Sequence, residues 1–226
     1  HGAMALLRGT WPRAARFAVA APRGGAAGAQ GDHAARKALL RAQGLLIGYG
    51  DRPLGEPLSF VLSPSSRLCL QAPSGAGKTT LLCTIAQLQR PLGGTVENTA
   101  RGRSMVFQDT RLVEDLDALD NILLFARPGF AREEARDLAC ELLPKDVLSR
   151  PVQELSGGQR RRVELARAFA ASGELVLLDE PFSGLDAQAH TRALTFVERH
   201  AGKRIVVLAT HDASDAQMLE AQVIEL

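Results

Sequence analysis

The chain has 226 residues, of which 46% are hydrophobic and 23% charged, the make-up of an ordinary globular protein of one large domain or two small ones. Its net charge of +2 leaves no basic excess of the kind that nucleic-acid binding needs, and its apolar runs stay well short of the roughly 18 residues of a membrane helix, so any membrane span has to come from other chains. Three widely spaced cysteines, Cys69, Cys83 and Cys140, fit neither a disulfide framework nor a metal cluster and read as reduced, buried thiols of a cytosolic protein.

The first residues, His1-Gly2-Ala3 ahead of Met4, read as a scar of expression. The remainder of segment 1–41 is rich in Ala, Gly and Arg. Its first 36 residues set five arginines (Arg8, Arg13, Arg16, Arg23, Arg36) against Asp32, a balance of +4, so the rest of the chain sums to −2. A loosely ordered extension is expected there. A folded domain is expected over 42–226. "GLLIGY", "LSFVL" (58–62) and "RLCLQA" (67–72) are strand-like runs broken by Gly and Pro. A helical pattern follows from Lys78 to Leu88, and "SMVFQ" (104–108) reads as a strand. Helices are expected over 117–126 and 131–143, separated by Pro128 and Gly129. A further helix covers 158–171, then a strand 174–179, a helix near 187–200, the strand "RIVVLA" (204–209), a short helix and a last strand, "QVIEL". Strands alternating with helices imply an α/β fold with a mainly parallel sheet, whose ligands bind at the carboxyl ends of strands.

"APSGAGKT" (72–79) follows a strand and opens a helix, the context a phosphate loop requires. The segment Pro73-Ser74-Gly75-Ala76-Gly77 can curl so that successive N–H groups face phosphate oxygens, and the helix N-terminus adds its positive end. Lys78 would reach the β- and γ-phosphates of a nucleotide, Thr79 would ligate Mg²⁺, and Thr80 would help hold the α-phosphate. Ala72 stands where the pattern usually has Gly. At the end of the apolar run in "ELVLLDEP" (174–181) two acids, Asp179 and Glu180, sit side by side. Such a pair resists burial unless something positive or a substrate requires it. Asp179 would hold Mg²⁺ through water, and Glu180 would orient or deprotonate a water attacking the γ-phosphate.

"LSGGQ" (155–159) brings a second helix N-terminus with two glycines, a second anion cradle. One nucleotide needs one cradle. Two cradles per chain point to a pair of chains gripping each ATP from opposite sides. Arg160, Arg161 and Arg162 behind it read as a solvated helix face.

With these motifs in this order, residues 44–226 resemble the ATP-binding cassette (ABC) family. "QAPSGAGKTT" is similar to its phosphate loop, Gln108 in "MVFQD" to its glutamine loop, "LSGGQ" to its signature, "LVLLDEP" to its acidic strand, "SGLD" (183–186) to the loop after it, and His211 in "ATHD" to its switch histidine. The resemblance implies a P-loop ATPase core, an N-terminal antiparallel β region and an inserted helical subdomain, here 109–155. It also implies a head-to-tail dimer in which Ser156, Gly157, Gly158 and Gln159 of one subunit close on the ATP held by the other. Tyr49, 29 positions before Lys78, would stack on adenine. Asp186 would cross the interface, His211 would hold γ-phosphate and water in register with Glu180, and Gln108 would touch magnesium and water. The helical insert would receive a membrane-spanning permease, with some of Leu112, Val113, Leu116, Leu119, Ile122, Leu123 and Phe125 lining the groove and most packing its core. Only 30 positions separate Lys78 from Gln108, so the antiparallel strands between them are expected to be trimmed, and no appended domain is expected after His211.

"VFQDTRLVEDLDALDNILL" is similar to importer subunits for nitrate, sulfonate or taurine, departing from them at "VEDLDA". The expected function is therefore the ATPase motor of a small-solute importer on the cytoplasmic face of the membrane, working with permease subunits and an extracytoplasmic solute-binding protein. A soluble, non-transport ABC ATPase and a nucleotide-binding regulatory module without turnover are the alternatives. Intact Glu180 and His211 weigh against the second.

Overall fold

The computed structural model describes residues 39–226. Its strands are β1 (Leu40–Leu46), β2 (Gly48–Tyr49), β3 (Arg52–Pro53), β4 (Leu58–Leu62), β5 (Arg67–Gln71), β6 (Gly93–Asn98), β7 (Arg103–Val106), β8 (Leu175–Asp179), β9 (Ile205–Thr210) and β10 (Gln222–Glu225). Its helices are α1 (Lys78–Ile85), α2 (Ala118–Leu123), α3 (Arg132–Cys140), α4 (Gly157–Ala170), α5 (Ala187–Ala201) and α6 (Ala213–Met218), with 3-10 turns at Lys145–Val147 and Val152–Glu154.

Five strands form the central sheet in the order β10-β5-β9-β8-β7, every pair parallel. Parallel strands covered on both sides must be apolar on both sides. That is why "LVLL" and "IVVLA" are continuous apolar runs rather than alternating ones. Pleating then deals their side chains to opposite faces. Leu175, Leu177, Ile205, Val207 and Ala209 join one core with Leu68, Leu70 and α1, while Val176, Leu178, Val206 and Leu208 join the other with α4 and α5. The second core extends without a break into α2 and α3 through Leu119, Ile122, Ala135 and Ala139.

The antiparallel region is a three-stranded sheet, β4-β1-β6, resting on the first core. β1 starts at Leu40, so the expected boundary between 41 and 42 moves toward the N-terminus. Leu40 is fully buried and Ala42 nearly so, with Arg41 between them exposed, and that alternation extends the strand backward. Between Lys78 and Gln108 one antiparallel strand, β6, is present. The expected extension over 1–38 lies outside the described residues. Segment 109–155 contains α2, α3 and the two 3-10 turns. Cys69 is buried and Cys83 and Cys140 are half-buried, all three free. Among the described residues no helix is long and apolar enough to cross a membrane.

Candidate functional site

Three adjacent strands of the sheet, β5, β9 and β8, end together: Gln71 pairs with Thr210, and Asp179 pairs with Ala209. The phosphate loop follows β5, the two acids close β8, and His211 follows β9. β7 flanks β8, with Val106 opposite Leu178, so Gln108 leaves the sheet at the same end. Residues more than a hundred positions apart in sequence are thereby gathered at the carboxyl end of the sheet.

The loop turns through left-handed glycines, with φ of 85° at Gly75 and 106° at Gly77. A Cβ on Gly77 would also come within 3.1 Å of Ile47 and 3.2 Å of Leu54. Gly77 is the N-cap of α1 and offers no side-chain cap, so the first N–H groups of that helix are free to face an anion. Lys78 is 7% exposed; its Nζ donates to Ala72 O at 2.7 Å and sits 3.3 Å from Glu180 Oε1. Ala76 N donates to Pro73 O within the loop's own turn, and neither of these two residues lines the hollow above it.

Asp179 is buried at the end of β8. Its Oδ2 accepts the Thr79 hydroxyl at 2.6 Å, while its Oδ1 is buried with no hydrogen-bond partner among the described residues. Burial pushes the Asp179 carboxyl above its usual range and the neighbouring Glu180 adds to this, against the pull of the Thr79 hydroxyl. An orphaned carboxylate oxygen beside a hydroxyl, with the Gln108 side chain lining the same hollow, is a hard oxygen donor set that fits Mg²⁺. Glu180 adopts φ +46°, a conformation that costs an ordinary residue about 1–3 kcal/mol and gathers at functional sites. Its second oxygen lies 3.0 Å from His211 Nδ1, and that histidine is otherwise exposed.

The hollow above the loop holds about 230 Å³ and is walled by Tyr49, Leu54, Ser74, Gly75, Gly77, Lys78, Thr79, Thr80, Gln108, Asp179 and Glu180; His211 touches Glu180 but does not line the hollow. Tyr49 stands on the β2–β3 hairpin, is 61% exposed as a residue, and its hydroxyl accepts from Thr80 Oγ1 at 2.7 Å. The structure thus puts it both in a hairpin and over the phosphate loop.

A second, open hollow of about 510 Å³ is lined by Ser156, Gly157, Gly158 and Asp186, and it shares no lining residue with the first. Ser156 caps α4: its Oγ accepts from Gln159 N, and Gln159 Oε1 accepts from Ser156 N at 2.9 Å. Gln159 is therefore engaged in the capping box and does not line the hollow, whereas Ser156 and the two glycines do. A Cβ on Gly158 would press on Gly184 O at 3.2 Å, so the glycine lets the signature tip lie against the loop before Asp186. Asp186 caps α5 through Ala189 N.

Residues 56–183 match the family model described as "ABC transporter". The chain belongs to the ABC transporter family. It binds ATP, and its reaction is hydrolysis of ATP to ADP and phosphate. The cassette is 38% identical over 207 residues to the taurine import ATP-binding protein TauB of Pseudomonas syringae pv. tomato, covering 84% of this chain and 78% of that protein. It is 38% identical over 190 residues to the aliphatic sulfonates import ATP-binding protein SsuB 1 of Rhodococcus jostii, covering 79% and 75%. It is 36% identical over 173 residues to the thiamine import ATP-binding protein ThiQ of Vibrio cholerae serotype O1, covering 69% and 73%. In fold it is similar to the ATP-binding cassette MJ0796, solved as a dimer in a post-hydrolysis state bound to ADP and Pi, with a TM-score of 0.70 at 24% identity over 83% of this chain and 94% of that one.

The arginine run of the cassette is not the solvated face expected of it. Arg160 donates to Gln153 O at 2.6 Å and Leu155 O at 3.1 Å, holding the turn that leads into the signature. Arg161 is 7% exposed and donates to the carbonyls of Phe107 and Gln108. Arg162 donates to Gly158 O and Leu142 O. One turn further along α4, buried Glu164 pairs with Arg161 and accepts Arg111 N at 2.6 Å, so the glutamine loop is tied to the signature helix on both sides of Gln108. Long side chains folding back onto carbonyls leave no periodic signal. The i, i+3 spacing of Arg161 and Glu164 was the one available hint.

Proposed function

We propose that this chain is the ATP-hydrolysing motor of a small-solute importer, working as a head-to-tail pair on permease subunits at the cytoplasmic face of a membrane. The observation that carries this reading is the division of phosphate-binding parts between two hollows with no lining residue in common. Each chain holds one complete phosphate loop and one signature tip, and a face-to-face pair brings the tip of one to the loop of the other.

In this reading the N–H groups of Ser74, Gly75 and Gly77 and the Lys78 ammonium hold the β- and γ-phosphates, with Pro73 and Ala76 shaping the turn that presents them, Thr80 beside the α-phosphate and the Tyr49 ring against adenine. Thr79, Gln108 and Asp179 would hold Mg²⁺, Asp179 through water, and the ion would supply neutralisation of phosphate charge when bound. Glu180 orients the attacking water and accepts its proton. His211, 3.0 Å from Glu180, keeps water and γ-phosphate in register with it. Ser156, Gly157 and Gly158 of the second copy close the site, with Gln159 bracing their turn and Asp186 crossing between sites. Loss of the γ-phosphate removes the link between the halves, and the pair opens.

The domain spans the chain from its first antiparallel strand to 226, and the insert 109–155 receives the permease. Likeness to taurine and aliphatic sulfonate import subunits favours a small sulfonate-type solute, delivered by an extracytoplasmic binding protein. Phosphate release by the full chain and by Glu180→Gln, with pull-down from membranes, tests the whole. Release that depends on Glu180 together with a co-purifying permease supports the reading. Equal release from both proteins, or no permease, overturns it.

A further inference from the structure

Asp215, on α6, is fully buried, and both of its carboxylate oxygens are engaged by segments of the chain that carry reactive groups. Oδ1 lies 2.7 Å from His190 Nε2, and Oδ2 accepts the Thr210 hydroxyl at 2.7 Å. Thr210 Oγ1 in turn accepts Asp212 N at 3.1 Å, so the backbone on both sides of His211 is fixed through one side chain. His190 is in the first turn of α5. Its N–H donates to the carbonyl of the cap, Asp186, at 2.8 Å, and its ring stacks on Phe182, two residues past Glu180, at 4.9 Å between centroids. The nearby Asp212 carboxylate is engaged by Ser214 N and Oγ at the start of α6, which leaves the imidazole to Asp215.

We propose that His190 and Asp215 are a positioning pair that locks the Asp186 loop to the His211 loop. Neither residue touches nucleotide. They set where His211 and Asp186 stand relative to each other, and so whether closure of the pair at Asp186 is felt at the water next to Glu180. This rests on the roles proposed above for His211 and Glu180. A shift of about 1 Å in a reacting group lowers rate far more than it lowers binding.

The test is a double-mutant cycle in the full chain. His190→Ala is expected to lower kcat roughly tenfold or more with KM for MgATP unchanged. His190→Gln, which keeps a donor near the same place, should recover most of the rate. In a His211→Ala background, His190→Ala should cause no further loss, because the two changes act through one group. Asp215→Asn replaces His190→Ala in the cycle if the latter does not fold. A wild-type kcat in His190→Ala, no recovery in His190→Gln, or losses that multiply in the double variant overturn the pairing while Glu180→Gln stays inactive. If Glu180→Gln hydrolyses ATP at the wild-type rate, the proposed function falls and the pairing with it.

Discussion

Lys78 and Glu180 form an ion pair, with Nζ 3.3 Å from Oε1, in a pocket where both side chains are largely shielded from water. In the proposed mechanism this lysine also holds phosphate, so the Glu180 carboxylate and the nucleotide compete for it. On that proposal ATP binding would exchange one anion for another at Lys78, and Glu180, which also contacts His211, would be freed for the water.

Glu180→Gln removes the competing charge and the proposed proton acceptor together. Phosphate release should fall by at least about a hundredfold, while MgATP binds more tightly than to the wild type. Single-turnover phosphate release and a nucleotide-binding titration check the two halves separately.

Asp179 gives a prediction in pH. Its carboxyl is raised on folding, chiefly by burial, so the native state holds that proton more tightly than the unfolded chain. Its contribution favours the fold at acid pH, below the unfolded carboxylate pKa of about 3.9. That contribution is lost, and turns into a cost, as pH rises through the raised folded value. Asp179→Asn should accordingly stabilise the nucleotide-free chain at neutral pH, with the gain shrinking as pH falls, and should abolish Mg²⁺-dependent hydrolysis. Urea unfolding of both proteins across that pH range, without nucleotide, reads the stability effect.

Glu164 is 1% exposed and balances Arg161, with Arg167 Nη2 at 3.6 Å. Glu164→Ala leaves buried guanidinium charge uncompensated and should destabilise by about 3–5 kcal/mol. It also frees Arg111 N, so the glutamine loop should loosen. Denaturant midpoints and hydrogen exchange at 107–111 are the measurements.

Phe125, Leu124 and Val113 are exposed apolar side chains of segment 109–155, whereas Leu119 and Ile122 from the same stretch are buried. Phe125→Asp should leave ATP hydrolysis by the isolated chain unchanged and abolish co-purification of a permease from membranes.

Much of this was legible because parallel strands and phosphate loops carry strong local constraints. Apolar runs buried on both faces place β8 and β9 to within a residue, and a glycine-rich turn between strand and helix admits few readings. Tertiary pairing was far less visible. Nothing in "RRRVE" tells which carbonyls Arg160–Arg162 will reach, since that depends on where the glutamine loop passes. The contact between His190 and Asp215 spans 25 positions and two elements. Leu40 and Arg41 fall within the expected extension because a two-residue alternation at a strand's start is too short to stand out. The bond between Tyr49 and Thr80 needs a hairpin whose fold-over no periodicity encodes.

The central claim is that two copies share each ATP, and the most direct test is the mass of the Glu180→Gln chain in solution. Sedimentation with MgATP should show a dimer that reverts to monomer with ADP and fails to form when Ser156→Arg blocks the signature tip. A chain that binds ATP yet stays monomeric with its permease present, or a dimer indifferent to Ser156→Arg, would contradict it.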